Sequence, residues 1–310
     1  MSLPNSIIIP FISMDFDSTR ATAGPAEMPV NALLIGQGLS SGTMTDDTLY
    51  AVTSAEQVGE LSGLGSVLHL MAKRFYKNNT FTPLSIIAMA EGGSATAATR
   101  TITIGGTATA VGELVVYING VRYAIPIAVG DAAAAVAAAL EAKLDLDTET
   151  AFVASSATVV VTLTAKCKGI SAGRNDVRLN YLPGEVVPAG LTAVVSATVA
   201  GTVDPDITSA IAAVAGSWFN VIATSIDDST NLDLLETWAL SQSTGTVMRD
   251  GMIYFAKNDT HANLITFSTN ASRNNQYMAM VASTSMPAAD YEVAAGVLGV
   301  VGDSIMKEVA

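Results

Sequence analysis

Five short apolar runs constrain this chain more than any other feature: residues 32–35 (ALLI), 84–90 (LSIIAMA), 219–223 (FNVIA), 252–256 (MIYFA) and 277–281 (YMAMV). They are continuous rather than alternating, the pattern of strands buried on both faces of a parallel sheet. Helical patterns lie between them. Ser54 and Gln57 form a capping box ahead of Val58 and Leu61, and Val67, Met71 and Phe75 make one apolar stripe beyond it. Asp206 caps a helix carrying Ile207, Ile211 and Val214, with Gly216 as its stop; Thr230 opens another with Leu234, Leu235 and Trp238. Pro287 starts the last, where Tyr291, Ala295, Leu298, Gly302, Ile305 and Val309 keep the i, i+3, i+4 rhythm. Strands alternating with helices predict an α/β fold with a doubly wound, mostly parallel sheet.

Between residues 98 and 203 the period changes to two. Leu114, Val116 and Ile118 alternate up to Asn119-Gly120, and Val121, Tyr123 and Ile125 alternate away from it. Asn-Gly is the favoured type I′ turn, and a two-residue loop pairs Ile118 with Val121, Val116 with Tyr123 and Leu114 with Ile125. Asp131 is the expected cap of an Ala-rich helix with Val136, Leu140 and Leu144 on one side. Alternating strands follow at Val159/Val161/Leu163, Val177/Leu179/Tyr181 and Ala193/Val195/Ala197/Val199. Small, turn-prone linkers bound the block, Gly92-Gly93-Ser94 before it and residues 201–205 after it. Charge divides the same way: the block holds 7 Lys/Arg and 8 Asp/Glu, the remainder 8 and 20. The expected organisation is an N-terminal arm (1–27), a discontinuous α/β body (28–97 and 204–310) and an inserted β-rich domain with one helix (98–203).

The arm carries Ile7, Ile8, Ile9, Phe11, Ile12 and Phe16, an apolar surface that needs a partner. Pro10 cannot donate a ladder hydrogen bond, so the run is either an edge strand of this subunit's own sheet or a strand given to a neighbour. These six residues are the expected subunit interface.

Composition excludes several classes. Half the residues are hydrophobic and 14% are charged, which favours a large core over disorder. The longest apolar stretches, 132–144 and 293–301, fall short of the roughly 18–20 residues a membrane span needs, so no membrane insertion is expected. A net charge of −13 repels phosphate backbones and argues against nucleic acid as a partner. Cys167 is alone, which excludes an internal disulfide and fits a reducing compartment.

Hints of chemistry are few. Residues 36–42 (GQGLSSG) contain a G-x-S-x-G match at Ser40 and a loose glycine-rich nucleotide pattern. Both motifs require a helix to begin at once, whereas the following residues show no helical rhythm until Ser54, so a strand-to-loop turn is expected. A Ser40/Asp227/His261 triad has hydrolase order and stands as the alternative; His69 is read as a surface residue and His261 as lying at a helix start. Asp227, Asp228, Asp233 and Glu236 follow a strand where a magnesium ion could sit, but acids also favour a helix N-terminus, and that reading is preferred. Gly296, Gly299 and Gly302 predict close packing of the last helix rather than a membrane dimer motif. No catalytic residue, cofactor or metal is assigned.

At specific stretches the chain resembles the tail sheath proteins of Mu-like contractile phages. These are residues 10–20 (PFISMDFDSTR), 32–38 (ALLIGQG), 52–71 (VTSAEQVGELSGLGSVLHLM), 159–181, including TLTAK at 162–166 and GRNDV at 173–177, and 258–274 (NDTHANLITFSTNASRN). They stand in collinear order along nearly the whole chain. The resemblance implies a virion structural protein whose body looks like a subtilisin fold without its catalytic triad. It also implies assembly with other copies in six-fold helical rings around a tail tube, contact with baseplate proteins, and contraction that drives the tube into the host envelope during genome ejection. Such proteins are made in the bacterial host cytoplasm and reside in the virion tail. Sheaths of secretion systems or bacteriocins are the alternative within the class. Similar proteins continue past the helix that ends here at Ala310, so the domain expected to receive the arms lies outside this sequence.

Overall fold

The computed structural model describes residues 30–269 and 276–309. The arm residues Ile7, Ile8, Ile9, Phe11, Ile12 and Phe16 lie outside the described residues. In chain order the body opens with β1 (Ala32–Gln37), β2 (Leu49–Val52), α1 (Ala55–Ser62), α2 (Val67–Asn78) and β3 (Leu84–Met89). The middle of the chain supplies β4 (Thr99–Gly106), β5 (Gly112–Ile118), β6 (Val121–Ile127), α3 (Ala133–Asp145), β7 (Phe152–Ala157), β8 (Val160–Ala165), β9 (Val177–Leu179) and β10 (Leu191–Val195). The chain then returns through α4 (Thr208–Val214), β11 (Val221–Thr224), α5 (Ser229–Gln242), β12 (Met252–Asn258), α6 (His261–Ser268), β13 (Met278–Ser283) and α7 (Asp290–Val309).

The five continuous apolar runs, joined at one edge by β2, form a six-stranded sheet in the order β13-β12-β11-β1-β3-β2. Every pairing in it is parallel except that of the edge strand β2, which runs antiparallel to β3. β1 is buried along its whole length, and its side chains divide between two cores. Leu33 and Ile35 face α4 and α5 with Ile207, Val214, Leu232 and Leu235. Ala32 and Leu34 face α2 and α7 with Leu68, Met71, Phe75 and Leu298. Helices on both faces make the sheet doubly wound, as the sequence predicts.

Between β3 and β11 come two antiparallel sheets, β10-β4-β8-β7 and β6-β5-β9. The hairpin forms in the expected register, Leu114 opposite Ile125, Val116 opposite Tyr123 and Ile118 opposite Val121. Asn119 and Gly120 take φ of 48° and 79°, the left-handed values a type I′ turn requires. Five of the six paired side chains are buried, while Val121 at the turn is half exposed. β5 is also buried at Val115 and Tyr117; the Tyr117 ring meets Tyr181 and its hydroxyl donates to Glu185. The chains entering and leaving this block lie side by side, with bridges Thr96–Thr202 and Thr99–Val199. Its core is continuous with the α2/α7 side of the body: Ile102, Leu114, Val116, Leu140, Leu163 and Val177 belong to the same buried cluster as Phe75, Tyr291 and Leu298.

Local signals are partly rearranged. Ser54 accepts from Gln57 N–H, but the Gln57 amide oxygen takes the N–H of Thr53 rather than that of Ser54. Asp131 does not cap α3, because its carboxylate takes the N–H of Ala128 in the preceding turn and Ala132 stands at the cap without a side-chain bond. α5 begins earlier than Thr230, because Asp228 accepts from Asn231 N–H and serves as its N-cap. Asp206 is not the cap of α4 either: Ile207 holds that position without a side-chain bond, and the Asp206 carboxylate one residue earlier takes the N–H and hydroxyl of Thr208.

Candidate functional site

Doubly wound sheets bind ligands outside the carboxyl ends of their strands, where the strand order reverses. Here that point lies between β1 and β11, and the segment 166–175 between β8 and β9 fills it. Gln37, at the end of β1, donates Nε2 to Lys168 O at 2.7 Å. The Cys167 thiol lies 3.9 Å from Gly38 O, and burial pushes it up to about 12, so it is inert as a nucleophile at neutral pH. Ser171 Oγ lies 3.0 Å from Asp227 Oδ1 and 3.1 Å from Asp204 Oδ2, and its N–H reaches Asp204 Oδ1 at 2.8 Å. Burial raises the Asp204 carboxyl despite those bonds.

Asp227 is the hub of this plug. It is 3% exposed and binds Lys257 Nζ at 2.6 Å and Arg174 Nη2 at 2.9 Å, both through Oδ2. One carboxylate thereby joins the end of β11, the strand β12 and the inserted block. Breaking a buried pair of this kind costs about 3–5 kcal/mol because a charge is left uncompensated. A second polar seam lies beside it. Tyr291 of α7 donates to Asn175 Oδ1 at 2.6 Å, and Asn119 Nδ2 donates to the same oxygen at 2.7 Å. Arg74 of α2 binds the Glu292 carboxylate through Nε and the Asn119 carbonyl through Nη2. The turn residue Asn119 is therefore a cross-link as well as a left-handed hinge. Burial raises the Glu292 carboxyl, with Arg74 pulling the other way, and it raises Asp290 to about 6.

The residues that hinted at chemistry are not brought together. Ser40 is exposed in a loop, and β2 rather than a helix follows it. Asp227 is spent on Lys257 and Arg174, and His261 is exposed at the first position of α6, behind its cap Thr260. His69 is not a surface residue: it is 2% exposed, and its Nδ1 accepts the Gly65 N–H at 3.0 Å. The helical wheel places it opposite the sheet, but α1 and the loop before α2 cover that side, and its ring lies against Gly59. Burial lowers its pKa, which keeps the acceptor nitrogen unprotonated. No group of three metal-ligating side chains occurs among the described residues. The glycines of α7 do serve close packing. A Cβ on Gly299 would lie 3.0 Å from Phe75 O, and Asn78 of α2 and its C-cap Asn79 donate their amides to Gly296 O and Gly299 O.

The site is thus a structural interlock, and over nearly its whole length the chain is similar in sequence to a tail sheath protein of a Mu-like prophage. It is 31% identical over 304 residues to the Mu-like prophage FluMu tail sheath protein of Haemophilus influenzae. That match takes in 98% of this chain and 62% of that protein, so the chain spans less than two thirds of its relative's length. Two solved structures are also similar, the sheath tail proteins of Listeria innocua and Desulfitobacterium hafniense, each at 12% identity and with TM-scores of 0.37 and 0.40. These matches cover 91% and 94% of this chain and 57% and 62% of the other chains. No protein-family profile matches the chain. No helix among the described residues is long and apolar enough to cross a membrane.

Proposed function

We propose that this chain is the arm, body and insertion of a contractile tail sheath subunit. It polymerises with its copies in six-fold helical rings around a tail tube, meets the baseplate, and contracts to drive the tube into the host envelope. The observation that carries this reading is the collinear likeness to the FluMu sheath protein over 98% of the chain. The body is read as a subtilisin-like sheet without catalytic machinery, and the exposed Ser40 with no helix behind it supports a non-enzymatic role. The paired chain crossings at Thr96–Thr202 and Thr99–Val199 support reading 98–203 as a unit carried by a body of residues 28–97 and 204–310. Neither nucleic acid nor a membrane is a partner in this reading, and the place of action is the virion tail after assembly in the host cytoplasm. Residues Ile7 to Phe16 of the arm link one subunit to the next.

Negative-stain microscopy of the full-length protein, with and without residues 1–27, tests the reading. Tubes or stacked rings are expected from the intact protein and only single particles from the truncated one. Ordered tubes from both would remove the arm from assembly, and their absence from the intact protein would remove the sheath function.

A further inference from the structure

One hydroxyl in the plug is claimed by two carboxylates. Ser171 Oγ stands 3.0 Å from Asp227 Oδ1 and 3.1 Å from Asp204 Oδ2, but a hydroxyl has a single hydrogen and gives it to one of them. Ser171 is 2% exposed and Asp227 3%, so water is largely kept from the contact. With both carboxylates ionised, the oxygen that loses the hydrogen would face the lone pairs of Ser171 Oγ at hydrogen-bond distance. Charged acceptors left in that position are costly, and native structures seldom retain them.

The surrounding charges decide which carboxylate is ionised. Asp227 Oδ2 receives both Lys257 and Arg174, so Asp227 keeps its charge and draws the Ser171 hydrogen to Oδ1. Asp204 has no such support. It forms no ion pair among the described residues, and its donors are the N–H and the hydroxyl of Ser171. Burial opposes its ionisation, and so do the like charges that face it, Asp228 at the cap of α5 and Asp227 beyond β11. Nearby cations are committed elsewhere, Lys257 and Arg174 to Asp227 and Lys168 to Glu91. Asp206, on the α4 side, is occupied with Thr208. A proton on Asp204 Oδ2 satisfies the whole set. Oδ2–H donates to Ser171 Oγ, Ser171 donates to Asp227 Oδ1, and Asp204 Oδ1 still accepts the Ser171 N–H.

We propose that Asp204, Ser171 and Asp227 form a proton-fastened latch between the inserted block and the body, in which protonated Asp204 donates to Ser171 and Ser171 donates to Asp227. Ser171 belongs to the 166–175 plug, Asp204 to the chain returning into the body, and Asp227 to the segment just after β11, so the relay holds the plug over the strand ends. When the proton leaves Asp204 for solvent, Oδ2 is left beside Asp227 without a hydrogen to share, and the plug loosens. Acid therefore fastens the latch. The folded chain keeps a proton that the unfolded chain has released, and the fastening is lost as pH rises through the folded-state midpoint. The latch stands apart from the sheath reading, since it needs only these three residues and the charges around them.

The ¹³Cγ resonance of Asp204, in protein labelled at aspartate and assigned with Asp204→Asn, reports the proton directly. Its titration midpoint in the folded protein should lie above its midpoint in urea, and an equal or lower one would overturn the latch. Ser171→Ala separates a relay from burial alone. In the relay Ser171 accepts the Asp204 proton, so removing the hydroxyl should lower the folded midpoint. A hydroxyl that instead donates to Asp204 would have the opposite effect, and a raised or unchanged midpoint counts against the proposal. Hydrogen exchange of residues 166–175 gives a second reading that needs no serine variant. Beyond the intrinsic rate, opening of the plug in the parent protein should rise by up to about tenfold per pH unit between the two midpoints. Asp204→Asn, whose amide N–H can donate to Ser171 in the proton's place, should remove that rise, while both proteins share the contribution of Asp290. The same rise in both proteins would rule the latch out.

Discussion

The two faces of the central sheet are built differently. On one face, α4, α5 and α6 close a core of their own, in which Leu33, Ile35, Ile222 and Ile253 meet Ile207, Leu232 and Leu235. On the other face, the core beneath α2 and α7 runs on without a break into the inserted block. That second face carries polar cross-links to the insertion at Arg74, Asn119 and Tyr291, beside those that Asp227 and Gln37 make at the end of the sheet. One face therefore stabilises the body alone, and the other ties its stability to that of its passenger.

The sharpest way to break this comparison is a pair of truncations. Leu298→Ala and Leu235→Ala each remove a side chain with no exposure, and each should cost about 2–5 kcal/mol. Hydrogen exchange should separate them. Leu298→Ala should speed exchange in β5, β6 and α3 as well as in the body, whereas Leu235→Ala should leave those elements protected. Equal spread from both variants would mean that the faces are not distinct. Gly299→Ala comes next in size. Its Cβ would press on the Phe75 carbonyl, and spreading α7 from α2 should cost about 1–3 kcal/mol, while Gly216→Ala, with open space around it, serves as the control. Urea titrations of both variants check this.

The smallest effect is pH dependence, to which two carboxyls of α7 contribute on the α2/α7 side. Asp290 and Glu292 have folded-state values raised by burial, Asp290 to about 6. Between the ordinary carboxylate range and about pH 6 the folded chain keeps protons that the unfolded chain has released. Stability therefore falls as pH rises through that window and is regained on acidification, by about 1–2 kcal/mol between pH 7 and pH 5. Asp290→Asn should flatten the slope of melting temperature against pH. A slope of opposite sign in the parent protein would contradict the burial argument.

What the sequence disclosed follows the same division. Strands buried on both faces and a hairpin with an Asn-Gly turn announce themselves through period and turn chemistry, and both appear where expected. β2, β4 and β7 were not anticipated. β2 has only four residues, β4 is built on Thr99, Arg100, Thr101 and Thr103, and β7 carries Ser155 and Ser156, so their apolar signal is thin. His69 was misplaced for another reason: a helical wheel assumes one wet face, and α2 has scarcely any. The interlock itself was illegible. Asp227, Lys257 and Arg174 lie far apart in the chain, and an Asp after a strand reads equally well as a cap, a ligand or half of an ion pair. Asn119 was seen as a turn residue, but nothing local tells that its side chain also holds Asn175 and the Asp176 N–H.

The bridges at Thr96–Thr202 and Thr99–Val199 have a consequence for how the chain folds. β1 must recruit both β3 and β11, which are separated by the whole inserted block, and closing so long a loop carries an entropic penalty. That penalty grows only with the logarithm of length, by about 0.6 kcal/mol for each doubling. Once the two crossing segments pair, the ends of the block are held about one strand spacing apart, roughly 4.8 Å. For the body, the intervening polymer then shrinks to the short stretches 90–95 and 203–220. Whether the block is long or short then matters little to the search that assembles the sheet, so the ladder at its base acts as a kinetic clasp.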